Sequence, residues 1–163
     1  MSSSLQRRRG SQLAAGLAGI AFVAACEVLN PKSSSSQLQS LLNDSEKSWT
    51  SSAIHNYEYD FQHSCDNCVG DSVNAVHVVV RNDVVSSVVV IGAGTPSVAN
   101  SVYPTVPGIF SIMQAALNSN SDLISATFDA TIGYPLFLQI LPKNGTEAIG
   151  NAYSIANFKS DTL

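Results

Sequence analysis

A short segment near the middle of the chain contains the side chains best suited to chemistry: His63, Cys65 and Cys68. Two thiolates and an imidazole are ligands that zinc and copper accept. A Cys-x-x-Cys pair can also carry a redox reaction when a helix N-terminus lowers a thiol pKa. In an oxidising compartment a close pair more often forms a structural disulfide. The pair follows a predicted strand and has Asp66 beside it, so we expect a Cys65–Cys68 disulfide. A metal site or a redox pair at these three residues is the alternative.

Other motifs that could support catalysis or bind a cofactor are incomplete. The run Val88–Gly94 starts like a dinucleotide-binding turn, but Ser97 stands at the third glycine position and Pro96 lies where the helix should begin. The sequence contains no Gly-x-Ser-x-Gly, no phosphate-binding Walker loop and no His-Glu-x-x-His. We therefore expect a protein that is not an enzyme and needs no cofactor. Its partner, a protein or a small molecule, is not specified by the sequence.

The first 26 residues predict an export signal that ends in a lipidated cysteine. Three arginines at 7–9 precede Leu13–Ala25, an uncharged apolar stretch of 13 residues. This is the length of a signal-peptide core and is too short to span a bilayer. The stretch ends in Val23-Ala24-Ala25-Cys26, which resembles the bacterial lipobox. In lipoproteins with that motif, a peptidase cuts before the cysteine, which then carries acyl chains. We therefore predict a signal peptide at 1–25 and lipidation of Cys26.

The segment after Cys26 favours this interpretation. Residues 26–36 contain Pro31 and four consecutive serines, a composition typical of a flexible tether. Two or three acyl chains hold a protein stably at a membrane, whereas one chain does so only marginally. We expect an exported lipoprotein that is attached to the membrane by its N-terminus. It would lie in the bacterial cell envelope, on the periplasmic or the cell-surface face.

Length and charge narrow the class of protein further. The chain has 163 residues, with 12 acidic against 8 basic residues and a formal charge of −4. Removal of the signal peptide takes away three arginines and no acidic residue, which brings the charge to −7. An acidic chain with few charges lacks the basic surface that nucleic acids require, so we expect no nucleic-acid partner. The length after the tether suits one domain, residues 37–163.

Hydrophobic periodicity predicts two helices and six strands. Leu38, Leu42 and Trp49 share one face of a helix that begins at Gln37. Strands are predicted at 57–62, 73–81, 84–91, 123–129, 135–141 and 151–158, and a second helix at 105–117. The order α-β-β-β-α-β-β-β predicts an α+β fold with both helices on one face of an antiparallel sheet of about six strands. The repeated order also suggests a duplicated α-β-β-β unit.

The segment Asp129–Pro135 predicts a tight corner before a strand. Asp129 can accept hydrogen bonds from the turn backbone, and Gly133 can adopt a positive φ. Tyr134 can pack its ring while its hydroxyl bonds elsewhere, and Pro135 suits the first position of a strand. We expect a structural corner; the alternative is a site where Asp129 and Tyr134 face a ligand.

These features together resemble an uncharacterised family of bacterial secreted proteins and lipoproteins that is known only as a domain of unknown function. In chain order, the matching features are the Trp49 helix, Tyr57-Glu58-Tyr59, the cysteine loop, the Asn82-Asp83 hairpin, Thr105–Phe110 and Phe128–Pro135. The last of these is similar to a Tyr-Asp-x-x-x-Gly-Tyr-Pro signature, with Phe128 in place of the tyrosine. The resemblance covers about Gln37 to Phe158. It implies the fold and the location, and it supplies no catalytic residue.

Overall fold

The structure, a computed structural model, describes residues 35–65, 74–92, 99–119, 122–141 and 150–161. The predicted signal peptide at 1–25, Cys26 and most of the tether at 26–36 lie outside these residues, as does Cys68. No helix within the described ranges is both long enough and apolar enough to cross a membrane.

The described residues form two α-helices and six β-strands. The elements are α1 (Ser35–Ser52), β1 (Tyr57–Cys65), β2 (Val76–Arg81), β3 (Val84–Val90), α2 (Val106–Asn118), β4 (Asp122–Phe128), β5 (Pro135–Leu141) and β6 (Asn151–Ser160), with a 3-10 turn at Asn100–Val102 before α2. The predicted order α-β-β-β-α-β-β-β is confirmed. Helix α1 begins two residues earlier than the periodicity indicated, because its first turn is polar and contributes nothing to the apolar stripe. The duplication of a common unit stays a prediction.

All six strands belong to one antiparallel sheet with the order β3-β2-β1-β6-β5-β4. The first and last strands of the domain therefore meet at the centre, and β3 and β4 form the two edges. Side chains from α1, α2 and alternate strand positions make a single hydrophobic core. The expected α+β fold, with its helices packed against an open sheet, is confirmed.

Local chemistry explains where the elements begin and turn. Asn82 and Asp83 have φ values of 49° and 64°, and such a pair of positive angles is typical of the type I′ turn that joins β2 to β3. Thr105 caps α2, because its side chain accepts a hydrogen bond from the backbone nitrogen of Gly108 at 3.2 Å. The buried stripe of α1 consists of Leu38, Leu42, Ser45 and Trp49.

Two buried tyrosines of β1 connect the sheet to the start of α2. The hydroxyl of Tyr57 accepts a hydrogen bond from the backbone nitrogen of Val106 at 3.1 Å. The hydroxyl of Tyr59 donates to the carbonyl of Pro104. Burial raises the pKa of Tyr57 to about 12 and raises the pKa of Tyr59 even further, so both hydroxyls stay protonated. The spacing Tyr-x-Tyr places both rings on the core side of the strand and both hydroxyls at one segment of the chain.

Candidate functional site

The cysteine segment lies at the end of β1. Cys65 is the last residue of that strand, is partly buried and pairs with Asn151 of β6. Cys68 lies outside the described residues, so the expected disulfide and the alternative metal site both stay predictions. What the structure does describe is the surroundings of His63, the third member of the set.

His63 is held by two neighbours on β6. Its Nε2 lies 2.9 Å from Oδ1 of Asn151, and its ring stacks on Tyr153 with 4.5 Å between centroids and 4° between planes. Burial raises the pKa of the Tyr153 hydroxyl. In the part of the chain that the structure describes, no three His, Cys, Asp or Glu residues are arranged to hold a metal ion. The contacts with Asn151 and Tyr153 thus fix the orientation of the His63 ring on the sheet.

Asp129 organises the corner between β4 and β5. Its Oδ1 accepts hydrogen bonds from the backbone nitrogens of Thr131 and Ile132, at 2.9 and 2.8 Å. Its own backbone accepts from Gly133 at 3.0 Å and donates to the carbonyl of Tyr134 at 2.9 Å. The carboxylate thus satisfies donors that a tight turn would otherwise leave unpaired.

Gly133 brings this corner into direct contact with α1. Its φ is +82°, and a Cβ built on it would lie 2.3 Å from the carbonyl oxygen of Ser45 and 2.9 Å from Cβ of Ser48. No side chain fits in that space. The corner is therefore packed against the helix backbone itself, which explains why glycine stands here.

The other two predicted residues of the corner pack toward the sheet. The ring of Tyr134 stacks on Phe158 of β6, with 4.3 Å between centroids and 20° between planes. Partial burial, and to a smaller extent the charge of Asp129, raises the pKa of the Tyr134 hydroxyl. Pro135 is buried, begins β5 and pairs with Phe128. The corner therefore links α1 to β5 and β6.

Open grooves flank α1. One has a volume of about 550 Å³ and lies between α1 and the corner, lined by Asp44, Lys47, Ser48, Ser51, Ser52, Thr131 and Ile132. A smaller groove of about 310 Å³ lies between the two helices. Neither Asp129 nor Tyr134 lines the larger groove; their neighbours Thr131 and Ile132 do. The lining thus combines hydroxyl groups, one lysine and one aspartate with apolar side-chain surface, including that of Ile132.

A polar network crosses the sheet on the face opposite the helices, and sequence reasoning missed it. Nδ1 of His77 on β2 lies 2.8 Å from Oδ1 of Asp60 on β1, and Nδ2 of Asn157 on β6 donates to Oδ2 of Asp60 at 2.7 Å. Lys159 on β6 donates to Glu58 on β1 at 3.1 Å. The alternation of Tyr57–Gln62 showed only that the two carboxylates face away from the core.

The network determines the charge state of its two carboxyl groups. Partial burial alone would raise the pKa of Asp60, but hydrogen bonds from Asn157 and His77 keep it below its usual value. The hydrogen bond from Lys159 lowers the pKa of Glu58. Both groups are thus ionised at neutral pH and paired with neighbours. These side-chain contacts link β2, β1 and β6 on the face away from the helices.

These features define the protein as an α+β domain with an open six-stranded sheet, covered by two helices on one face and carrying a charged network on the other. Residues 41–160 match the model of the Family of unknown function (DUF6174). The chain belongs to this family. No curated protein and no solved structure matches it.

Proposed function

We propose that this protein is an exported lipoprotein whose domain serves as a non-catalytic binding module of the cell envelope. The observation that carries the proposal is the order of features at the N-terminus. A basic segment, a short apolar stretch and Val23-Ala24-Ala25-Cys26 directly precede the tether and the folded domain. Acylation of Cys26 would attach the domain to a membrane without a spanning helix.

The distance from Cys26 to the domain supports a position close to the bilayer. Helix α1 begins at Ser35, nine residues after Cys26. A chain of that length reaches at most about 30 Å when fully extended. The domain would therefore stay within about one domain diameter of the membrane surface. Any partner would be met there, and the groove of about 550 Å³ beside α1 would be available to it.

We also propose that Cys65 and Cys68 form a disulfide. The proposed export supports it, because it would place the pair in an oxidising compartment, where two cysteines this close more often form a disulfide than a metal site. So short a loop gains little unfolded-state entropy from the bond, which would mainly shape the chain after β1. The metal- or redox-handling alternative requires thiolates at both cysteines. Thiol titration and metal analysis of the exported protein separate the two, because a disulfide gives no free thiol and no bound metal.

Lipidation is tested by comparing cysteine variants in a bacterial host. The full chain and its Cys26→Ser variant are expressed, cells are labelled with a radioactive fatty acid, and the membrane and soluble fractions are separated. We expect label and membrane association in the wild type and neither in Cys26→Ser. Cys65→Ser is the matched control, because it also removes a sulfur but should keep the label. Label in Cys26→Ser would contradict the proposal.

A further inference from the structure

Exposed apolar side chains collect along the β3 edge, which we define as residues 84–91. Four large hydrophobic residues are exposed in the described part of the chain, and three of them belong to this edge: Val84, Val89 and Ile91, with exposures of 65%, 46% and 50%. The fourth, Val102, lies on the 3-10 turn. Because β3 ends the strand order, one of its sides is not paired with any described strand.

The β3 edge has few of the features that keep edge strands apart. Proteins usually protect such edges with charged residues, prolines, bulges or covering loops. Residues 84–91 contain no charge and no proline. Within the described residues, the middle of the strand has some cover: the register with β2 shifts at Ser86, the 3-10 turn at Asn100–Val102 contacts β3, and Nδ2 of Asn100 donates to the Ser86 carbonyl at 3.2 Å. The valines on both sides of Ser86 are not protected by charge.

The strand is also self-complementary. Residues 84–89 read Val-Val-Ser-Ser-Val-Val, which is the same sequence in both directions. An antiparallel pair with a second copy, related by a two-fold axis between Ser86 and Ser87, sets each valine against a valine. A two-fold interface requires this property, because the same surface must fit itself.

The faces of the sheet agree with that pairing. Val84 and Val89 pair with Arg81 and His77 on β2, and so lie on the face away from the helices. In the two-fold arrangement these two valines meet each other. Val85 and Val88 pair with buried valines of β2, lie on the core side, and also meet each other. Both faces of the sheet would therefore continue across the axis.

We propose that this protein forms a homodimer through antiparallel pairing of β3 with β3 of a second copy, centred between Ser86 and Ser87. The pairing would satisfy backbone groups on the free side of the strand, would replace the bond from Asn100 to the Ser86 carbonyl, and would bury Val84 and Val89 of both copies. The absence of charge on the strand removes the repulsion that like charges would cause in a two-fold pair. Membrane attachment is not required for this dimer.

The oligomeric state of the purified full chain tests the proposal. Sedimentation equilibrium in density-matched detergent should show dimers, and Val89→Lys should convert them to monomers, because it places a charge opposite Val84 of the partner. Val102→Lys is the control, since it changes another exposed valine, one on the 3-10 turn and not in the strand, and should leave the dimer intact. Unchanged Trp49 fluorescence would show that both variants fold. Monomers in the wild type, or dimers that survive Val89→Lys, would overturn the proposal.

Cross-linking tests the register independently. Residues directly opposite in antiparallel strands have Cβ atoms about 5 Å apart, within reach of a disulfide. Val84→Cys and Val89→Cys proteins should therefore form a mixed covalent dimer when combined and oxidised. Neither variant should cross-link with itself, because Val84 of one copy lies several residues along the strand from Val84 of the other copy, and the same holds for Val89. Equal cross-linking of each variant with itself would contradict this register.

Discussion

Replacement of Gly133 by alanine should destabilise the domain well beyond the usual cost of a positive φ. Gly92 provides a matched control, because its φ is also +82° but nothing lies within 4 Å of a Cβ built there. Alanine in the left-handed region costs about 1–2 kcal/mol, and this is the expected loss for Gly92→Ala. At Gly133 the new Cβ would also lie 2.3 Å from the carbonyl oxygen of Ser45. Overpacking of this kind adds about 1–3 kcal/mol.

Urea unfolding followed by the fluorescence of Trp49 measures both losses. Trp49 is the only tryptophan of the chain, is 5% exposed and packs edge-on against Tyr57, so its emission should report loss of the core. We expect a lower urea midpoint for Gly133→Ala than for Gly92→Ala, with similar slopes. Equal free-energy losses in the two variants would show that the corner does not pack against α1 as described.

Three further predictions concern the hydrogen bonds of the core, the corner and the charged network. Burial raises the pKa of Tyr57 to about 12 from 10.0 in the unfolded chain. The contribution of Tyr57 to stability should therefore be fully present below pH 10 and should fall by roughly 2–3 kcal/mol as the pH rises to about 12 and beyond. In alkaline denaturation, the stability of Tyr57→Phe should consequently depend less steeply on pH than that of the wild type. Asp129→Ala should cost about 1–2 kcal/mol in urea unfolding because it leaves two turn nitrogens without an acceptor, whereas Asp129→Asn, which keeps an oxygen there, should cost less. Because folding lowers the pKa of Asp60, this residue should contribute to stability at pH values above its pKa in the unfolded chain, and the contribution should be lost as the pH falls through its pKa in the folded protein. Thermal unfolding at several pH values should show that the stability of Asp60→Asn falls less steeply with acidification.

The elements of this fold could be predicted because the signals for them are local. The stripe of Leu38, Leu42 and Trp49 has the period of a helix, and the alternation in Tyr57–Gln62 has the period of a strand. Asn82-Asp83 indicated a two-residue turn, and both residues do have positive φ. Each of these signals depends on neighbouring residues in the chain, so one sequence was enough.

The contacts that the sequence did not indicate are those between elements that lie far apart in the chain. The bonds from Asp60 to His77 and Asn157 require the registers of β1 with both of its neighbours, including the irregularity between Glu58 and Asp60. Asn157 reaches Asp60 from a position with a φ of 51°, which no periodic pattern marks. The contact between Gly133 and α1 likewise follows from the packing of a turn on a helix that lies far away in sequence.

The intact mass of the protein purified from membranes of a bacterial host tests the central proposal most directly. We expect the mass of residues 26–163 plus a glyceride and its acyl groups, and an increase of about 2 Da on reduction as the Cys65–Cys68 bond takes up two hydrogens. A mass without the glyceride and acyl groups, or a chain that begins at a residue other than Cys26, would contradict the lipid anchor. A mass unchanged by reductant, with metal bound under native conditions, would contradict the disulfide.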